Sequence, residues 1–133
     1  MRRITIISIR KPKQQTLTEE LQWLCQAFGL FTLRDKNKSA FRLFLELLKT
    51  SRNHQAVSSD DLAERLRLSR GTVIHHLHKL IDCGIVIIED QRYILREEHL
   101  ERLIEEIKRD MERTLKDMQQ AAKEIDSWLE QMR

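Results

Sequence analysis

Between residues 59 and 82 two short amphipathic patterns stand back to back, joined by so few residues that only a tight turn fits between them. In the first, Leu62, Ala63 and Leu66 share a face; in the second, Val73, Leu77 and Leu80 do, at three-and-four spacing. Asp60, Asp61 and Glu64 load the leading helix near its start, where the backbone dipole favours anions. Ser69 is positioned as the N-cap of the second helix, and Cys83-Gly84 stops it. That is the pattern of a helix-turn-helix.

The elements around this pair extend it. Ile85-Val86-Ile87-Ile88 and Tyr93-Ile94-Leu95, on either side of the polar Glu89-Asp90-Gln91-Arg92, predict two short strands and a tight turn. A helix beginning at Ser39 and broken from Thr50 to Gln55, with Phe41, Phe44, Leu45, Leu47 and Leu48 facing inward, supplies a third helix. The expected fold class is mainly α: a winged helix-turn-helix over residues 38–96, three helices plus a β-hairpin wing. Its expected core is Phe41, Phe44, Leu48, Leu62, Leu66, Val73, Leu77, Leu80 and Ile85.

The resemblance becomes specific in Leu62-Ala63-Glu64-Arg65-Leu66, Leu68-Ser69, Thr72-Val73-Ile74-His75-His76-Leu77, Leu80 and Gly84-Ile85-Val86. This run resembles the winged helix-turn-helix of ArsR-type bacterial and archaeal transcriptional regulators. MarR, PadR and other small archaeal regulators share the apolar frame, and the His75-His76-Leu77 triplet leans toward ArsR. Two departures stand out. Arg67 occupies a turn position where relatives usually have glycine, which predicts a looser turn, and Ile74 stands where a small polar residue is more usual. The resemblance implies DNA binding, yet winged helices also serve as protein-binding modules, so the fold alone does not decide between them.

Residues 97–133 are of another kind. Ile104, Met111, Met118, Ile125 and Met132 recur every seven residues, with Leu100, Ile107, Thr114, Ala121 and Trp128 as a second seam, and neither Gly nor Pro interrupts them. A helix of that length, roughly 54 Å at 1.5 Å per residue, is far longer than so small a domain can cover. Leu103, Leu115, Ala122 and Leu129 widen the stripe. A dimeric coiled coil is the expectation, with Leu100, Ile104, Ile107, Met111, Leu115, Met118, Ala122, Ile125 and Leu129 at the homodimer interface. Thr114, Ala121 and Trp128 leave the direction of pairing open.

Ahead of the domain, Arg3 to Ile9 is rich in β-branched residues and predicts a strand within a basic arm (residues 1–15) that includes Arg2, Arg3, Arg10, Lys11 and Lys13. Pro12 and its neighbours form a linker. A helix over residues 16–30 follows, capped by Thr16 or Thr18, with Leu17, Leu21, Leu24, Cys25 and Phe28 on one face and Gly29 at its end. Arg34 to Lys38 reads as a polar turn.

Charge is uneven: residues 1–58 carry 11 Lys/Arg against 4 Asp/Glu, residues 59–96 carry 6 against 6, and residues 97–133 carry 7 against 11. A basic N-terminal half suits a phosphate backbone and an acidic C-terminal third does not. The 133 residues contain no apolar run near the length needed for a bilayer, and the N-terminus lacks the apolar core of a secretory signal, which predicts a cytoplasmic protein with no membrane partner. Cys25 and Cys83 each sit in an apolar helical pattern and read as buried free thiols.

With the inward positions of the second helix removed, the residues expected to meet double-stranded DNA are Ser69, Arg70, Thr72, Ile74, His75, His78 and Lys79, joined by Arg92 of the wing. His76, beside Leu77, reads as a packed histidine at the core edge. The wing tip, Glu89-Asp90-Gln91, is poorly suited to phosphate, so Arg34, Lys36, Lys38, Lys49, Arg52 and Arg65 are the other sources of positive charge. No metal site or cofactor is expected. Asp61, Ala63 and Arg65 replace the Cys-x-Cys of thiolate sensors, His99 is the single histidine after residue 96, and only His78 and Asp82 have i, i+4 ligand spacing. Phosphate loops, nucleophile elbows and HExxH are missing, so no enzyme activity is expected, and no effector is legible. Two functions follow: a homodimeric DNA-binding regulator, or an interaction module with little DNA affinity.

Overall fold

Three of the helix starts in the computed structural model, which describes residues 3–11, 13, 16–30 and 38–133, fall where side-chain oxygens take up orphan amides. The element order is α1 (Leu17–Ala27), α2 (Ser39–Arg52), α3 (Ser59–Leu66), α4 (Arg70–Asp82), β1 (Val86–Glu89), β2 (Arg92–Leu95) and α5 (Leu100–Gln131). Thr16 accepts from the Glu19 amide at 3.2 Å, Ser58 from Asp61 at 3.0 Å and Ser69 from Thr72 at 3.1 Å. The chain divides into two units, residues 1–99 and 100–133. Pro12, the linker glutamines, Arg2 and the expected polar turn with Arg34 and Lys36 lie outside the described residues.

The core of the first unit is built on α2, which contacts α1, α3, α4 and β2. Leu43, Phe44, Leu47, Leu62, Val73, Leu77 and Ile85 are fully buried, and Leu66 and Leu80 nearly so. Phe41 and Leu48, expected in this core, are only half-buried. The face of α2 that turns inward runs Ala40, Leu43, Phe44, Leu47, Thr50, Ser51, and Phe41, Leu45 and Leu48 form a flanking stripe. The helix also continues to Arg52, past the predicted break at Thr50, because Ser51 turns its hydroxyl inward to accept from the Leu95 amide at 3.0 Å. Leu17, expected on the inner face of α1, is 80% exposed; Leu21, Cys25 and Phe28 carry that face.

The hairpin pairs Val86 with Leu95 through Glu89 with Arg92, leaving a two-residue turn, Asp90-Gln91, in which both residues have positive φ, 50° and 64°. That conformation matches the right-handed twist of the strands it joins. A third short partner, unforeseen in the sequence, lies on the other edge of β2: Val57 and Tyr93 exchange backbone hydrogen bonds of 3.0 and 2.7 Å. The β-branched run at residues 3–9 joins no strand among the described residues. Its amides go instead to helix-end carbonyls that would otherwise lack partners, Arg3 to Asp82 at 2.7 Å and Ile7 to Ala27 at 2.8 Å. Trp23 Nε1 donates to the Ile9 carbonyl at 3.2 Å, and Lys11 sits 5.6 Å from the Trp23 ring centroid and 3.5 Å from Glu20.

The turn between α3 and α4 is tight, contrary to the looser turn expected from Arg67. Arg67 itself adopts the left-handed conformation, φ 54° and ψ 45°, and the Leu68 amide closes onto the Ala63 carbonyl at 3.0 Å. Arg42 adds a side-chain cap by donating to the Leu66 carbonyl. A left-handed L-residue costs about 1–2 kcal/mol, part of which glycine gives back through its freer unfolded chain. Arg67→Gly is therefore expected to raise stability by about 0.5 kcal/mol, read as a higher urea midpoint at unchanged slope.

Both cysteines are buried and free. Burial pushes the Cys25 thiol up from 9.0 to about 12, and burial also raises Cys83, with Asp82 adding to the rise and Lys79 opposing it. The folded chain thus keeps the Cys25 proton where the unfolded chain has released it. Stability is fully present below pH 9 and falls by about 1.4 kcal/mol per pH unit as pH rises from 9 toward 12. Urea midpoints of the native chain and Cys25→Ala are expected to converge across that interval.

The second unit is α5 alone. It begins at Leu100, after a bend over residues 96–99, and its 32 residues extend roughly 48 Å. Leu103 and Ile107 are buried, whereas every residue from Glu112 onward is exposed, including Leu115, Met118, Ile125, Trp128, Leu129 and Met132. Ion pairs of Lys108 with Glu112, Arg109 with Glu106 and Arg113 with Asp110 run along the helix.

Candidate nucleic-acid interface

α4 is held by its inner face, Val73, His76, Leu77 and Leu80, all buried. His76 is the polar member of that set. Its Nε2 lies 2.7 Å from Ser39 Oγ, which ties α4 to the first residue of α2 and agrees with the packed role expected for this histidine. With that face fixed, the opposite side presents Gly71, His75 and His78 as an exposed stripe, and Arg70 and Ser69 are exposed at the N-terminal end. Thr72 and Lys79 are half-exposed. Ile74 is half-buried rather than fully exposed, so it offers less apolar surface than the sequence suggests.

The N-terminal end of α4 has a defined polar arrangement. Ser69 Oγ accepts from the Thr72 amide and donates to Thr72 Oγ1 at 2.8 Å, which leaves the hydroxyl hydrogen of Thr72 for an outside acceptor. Arg70 Nε stands 3.6 Å from Asp60 Oδ1 of α3, with both side chains about three-quarters exposed. An exposed pair of this kind is worth under about 1 kcal/mol, too little to hold Arg70 from a phosphate or a guanine edge. At Gly71 a Cβ would meet nothing within 4 Å, so the fold does not require glycine there and the space in front of it is open.

The wing contributes less. Arg92 Nη1 donates to the Ala56 carbonyl at 3.4 Å, and Arg92 stands opposite Glu89 in the strand register of the hairpin. Ile88, Glu89 and Asp90 are exposed at its end. Of the other cations, Arg65 pairs with Glu46 at 3.5 Å, and Lys38, Lys49 and Arg52 are exposed. Among the described residues no three His, Cys, Asp or Glu side chains gather into a metal-binding cluster.

Sequence reasoning missed Ser58, although the spacing Ser58-x-x-Asp61 carries an N-cap signal, and missed Asp60 as the partner of Arg70, a pairing between two helices that periodicity does not encode.

Three helices, a tight turn through left-handed Arg67 before α4, and a β-hairpin after it are consistent with a winged helix-turn-helix. Residues 46–87, from within α2 to β1, match the family model described as bacterial regulatory protein, arsR family, and the match supports an ArsR-type helix-turn-helix regulator. Comparisons with curated proteins and with solved structures gave no match. The family match suggests a DNA-binding transcription regulator. No helix of the described residues is long and apolar enough to cross a membrane.

Proposed function

We propose that the protein is a homodimeric, sequence-specific DNA-binding transcriptional regulator that reads the major groove with α4. The observation that carries this reading is the division of α4 into a locked inner face and a polar outer face whose N-terminal end is free of bulk. Arg70 reaches a guanine edge or a phosphate, Thr72 and Ser69 lie at the backbone, and His75 and His78 follow along the groove. Ile74 and Lys79 flank that path, and Arg92 is its contact from the wing. The exposed heptad seams of α5 support self-association, because so long an apolar stripe on one helix needs a covering helix.

Selection of bound duplexes from random sequence tests the proposal. A recurring motif in two inverted halves is expected, matching the two-fold symmetry of a dimer. Recovery of no motif, from a folded dimer, overturns it. The second reading, a protein-binding module, is favoured by one feature: Ile88 is 53% exposed beside Glu89 and Asp90, an apolar residue with an acidic rim where a phosphate-gripping wing would be basic.

A further inference from the structure

The homodimer reading leaves the direction of the α5 pair undecided, and residue sizes together with exposure decide it. We propose that the C-terminal half of α5 pairs antiparallel with the same half of a second copy, the two-fold axis passing beside Ala122. The proposal rests on the homodimer reading above.

In a parallel pair each seam residue meets its own copy. That stacks Thr114 on Thr114 and Ala121 on Ala121, leaving two thin layers, and sets Trp128 on Trp128 in a third. It also lays Asp117 against the partner's Ala122 and Glu124 against the partner's Leu129, carboxylates on apolar chains. An antiparallel pair instead sets one seam against the other. With Ala121 opposite the partner's Ile125, Met118 meets the partner's Trp128 and Thr114 meets the partner's Met132, so each layer but one joins a small residue to a large one. Thr114 can enter such a layer because its hydroxyl already donates to the Asp110 carbonyl at 3.2 Å. The flank beside these layers becomes wholly apolar, Leu115 against the partner's Leu129 and Ala122 against the partner's Ala122. The other flank sets the two Glu124 carboxylates opposite each other at the solvent edge, a like-charge contact that salt screens.

Exposure selects this register over the one slid a heptad toward the N-terminus. Every residue used, from Thr114 to Met132, lies in the half of α5 that is exposed. Sliding by one heptad would enlist Ile107, which is buried, and would place Lys108 against Leu129. The area is sufficient as well. Leu115, Met118, Ile125, Trp128, Leu129 and Met132 are each at least half exposed; at roughly 100 Å² apiece they bring about 600 Å² per copy. The pair then buries about 1,200 Å², within the range of stable interfaces.

Single cysteines and the shortest bismaleimide test the direction, on the full chain, with the native protein and its buried Cys25 and Cys83 as background. Ala122→Cys is expected to give a covalent dimer, and Thr114→Cys to remain single-chain on a denaturing gel, since the two 114 positions lie about 27 Å apart along the axis. Linking at 114, or at neither site in a chain that sediments as a dimer, overturns the antiparallel pair and leaves the homodimer standing. A monomer in sedimentation of the native chain overturns both.

Discussion

Replacing Phe44 with alanine is expected to destabilise the first unit by about 3–5 kcal/mol, because Phe44 is the largest fully buried side chain among the described residues and its loss opens a cavity in the core. A domain of this size has a total stability of roughly 5–15 kcal/mol, so the loss is a large fraction of it. The urea midpoint measures it. Phe41→Ala is the informative companion: Phe41 is half-buried on the flanking stripe of α2, and its removal should cost well under half as much. Equal losses from the two substitutions would contradict the placement of α2.

Replacing Arg70 with alanine is expected to weaken binding to the recovered duplex roughly 5- to 150-fold, the effect of losing about 1–3 kcal/mol of contact to a base edge. Stability should not change, since Arg70 is 72% exposed and its pair with Asp60 is weak. Asp60→Asn makes the comparison sharper. It removes a carboxylate beside Arg70 and should tighten binding, whereas a role for Arg70 confined to the Asp60 pair would make both substitutions neutral for DNA.

The helix-turn-helix was legible because its signals are local and agree with one another. The spacing of Leu62, Leu66, Val73, Leu77 and Leu80, the acidic start of α3 and the Ser69 cap each predict the same boundaries, and the structure has them. α2 was read less well for a reason in its composition. Ala40, Phe41, Leu43, Phe44, Leu45, Leu47 and Leu48 cover more than half its circumference, so periodicity alone does not say which stripe the other helices meet, and Leu43 went unnoticed. Residues 3–9 have strand composition, but a strand needs a ladder partner; helix-end carbonyls met their amides instead. Arg67 shows that a left-handed turn can hold a charged side chain when the Leu68–Ala63 bond and the Arg42 cap secure it. The contacts that qualify the site, Arg70 with Asp60 and Arg92 with Ala56, join residues far apart in the chain and are invisible to pattern.

The most direct test of a DNA-reading α4 is an anisotropy titration of the chain against the recovered duplex and a shuffled duplex of the same composition, over a series of salt concentrations. The account predicts affinity at least 10³-fold higher for the recovered site near physiological salt, falling steeply as salt rises, with the preference reduced about 5- to 150-fold by Arg70→Ala. Equal, weak affinity for both duplexes from a folded dimer would contradict it.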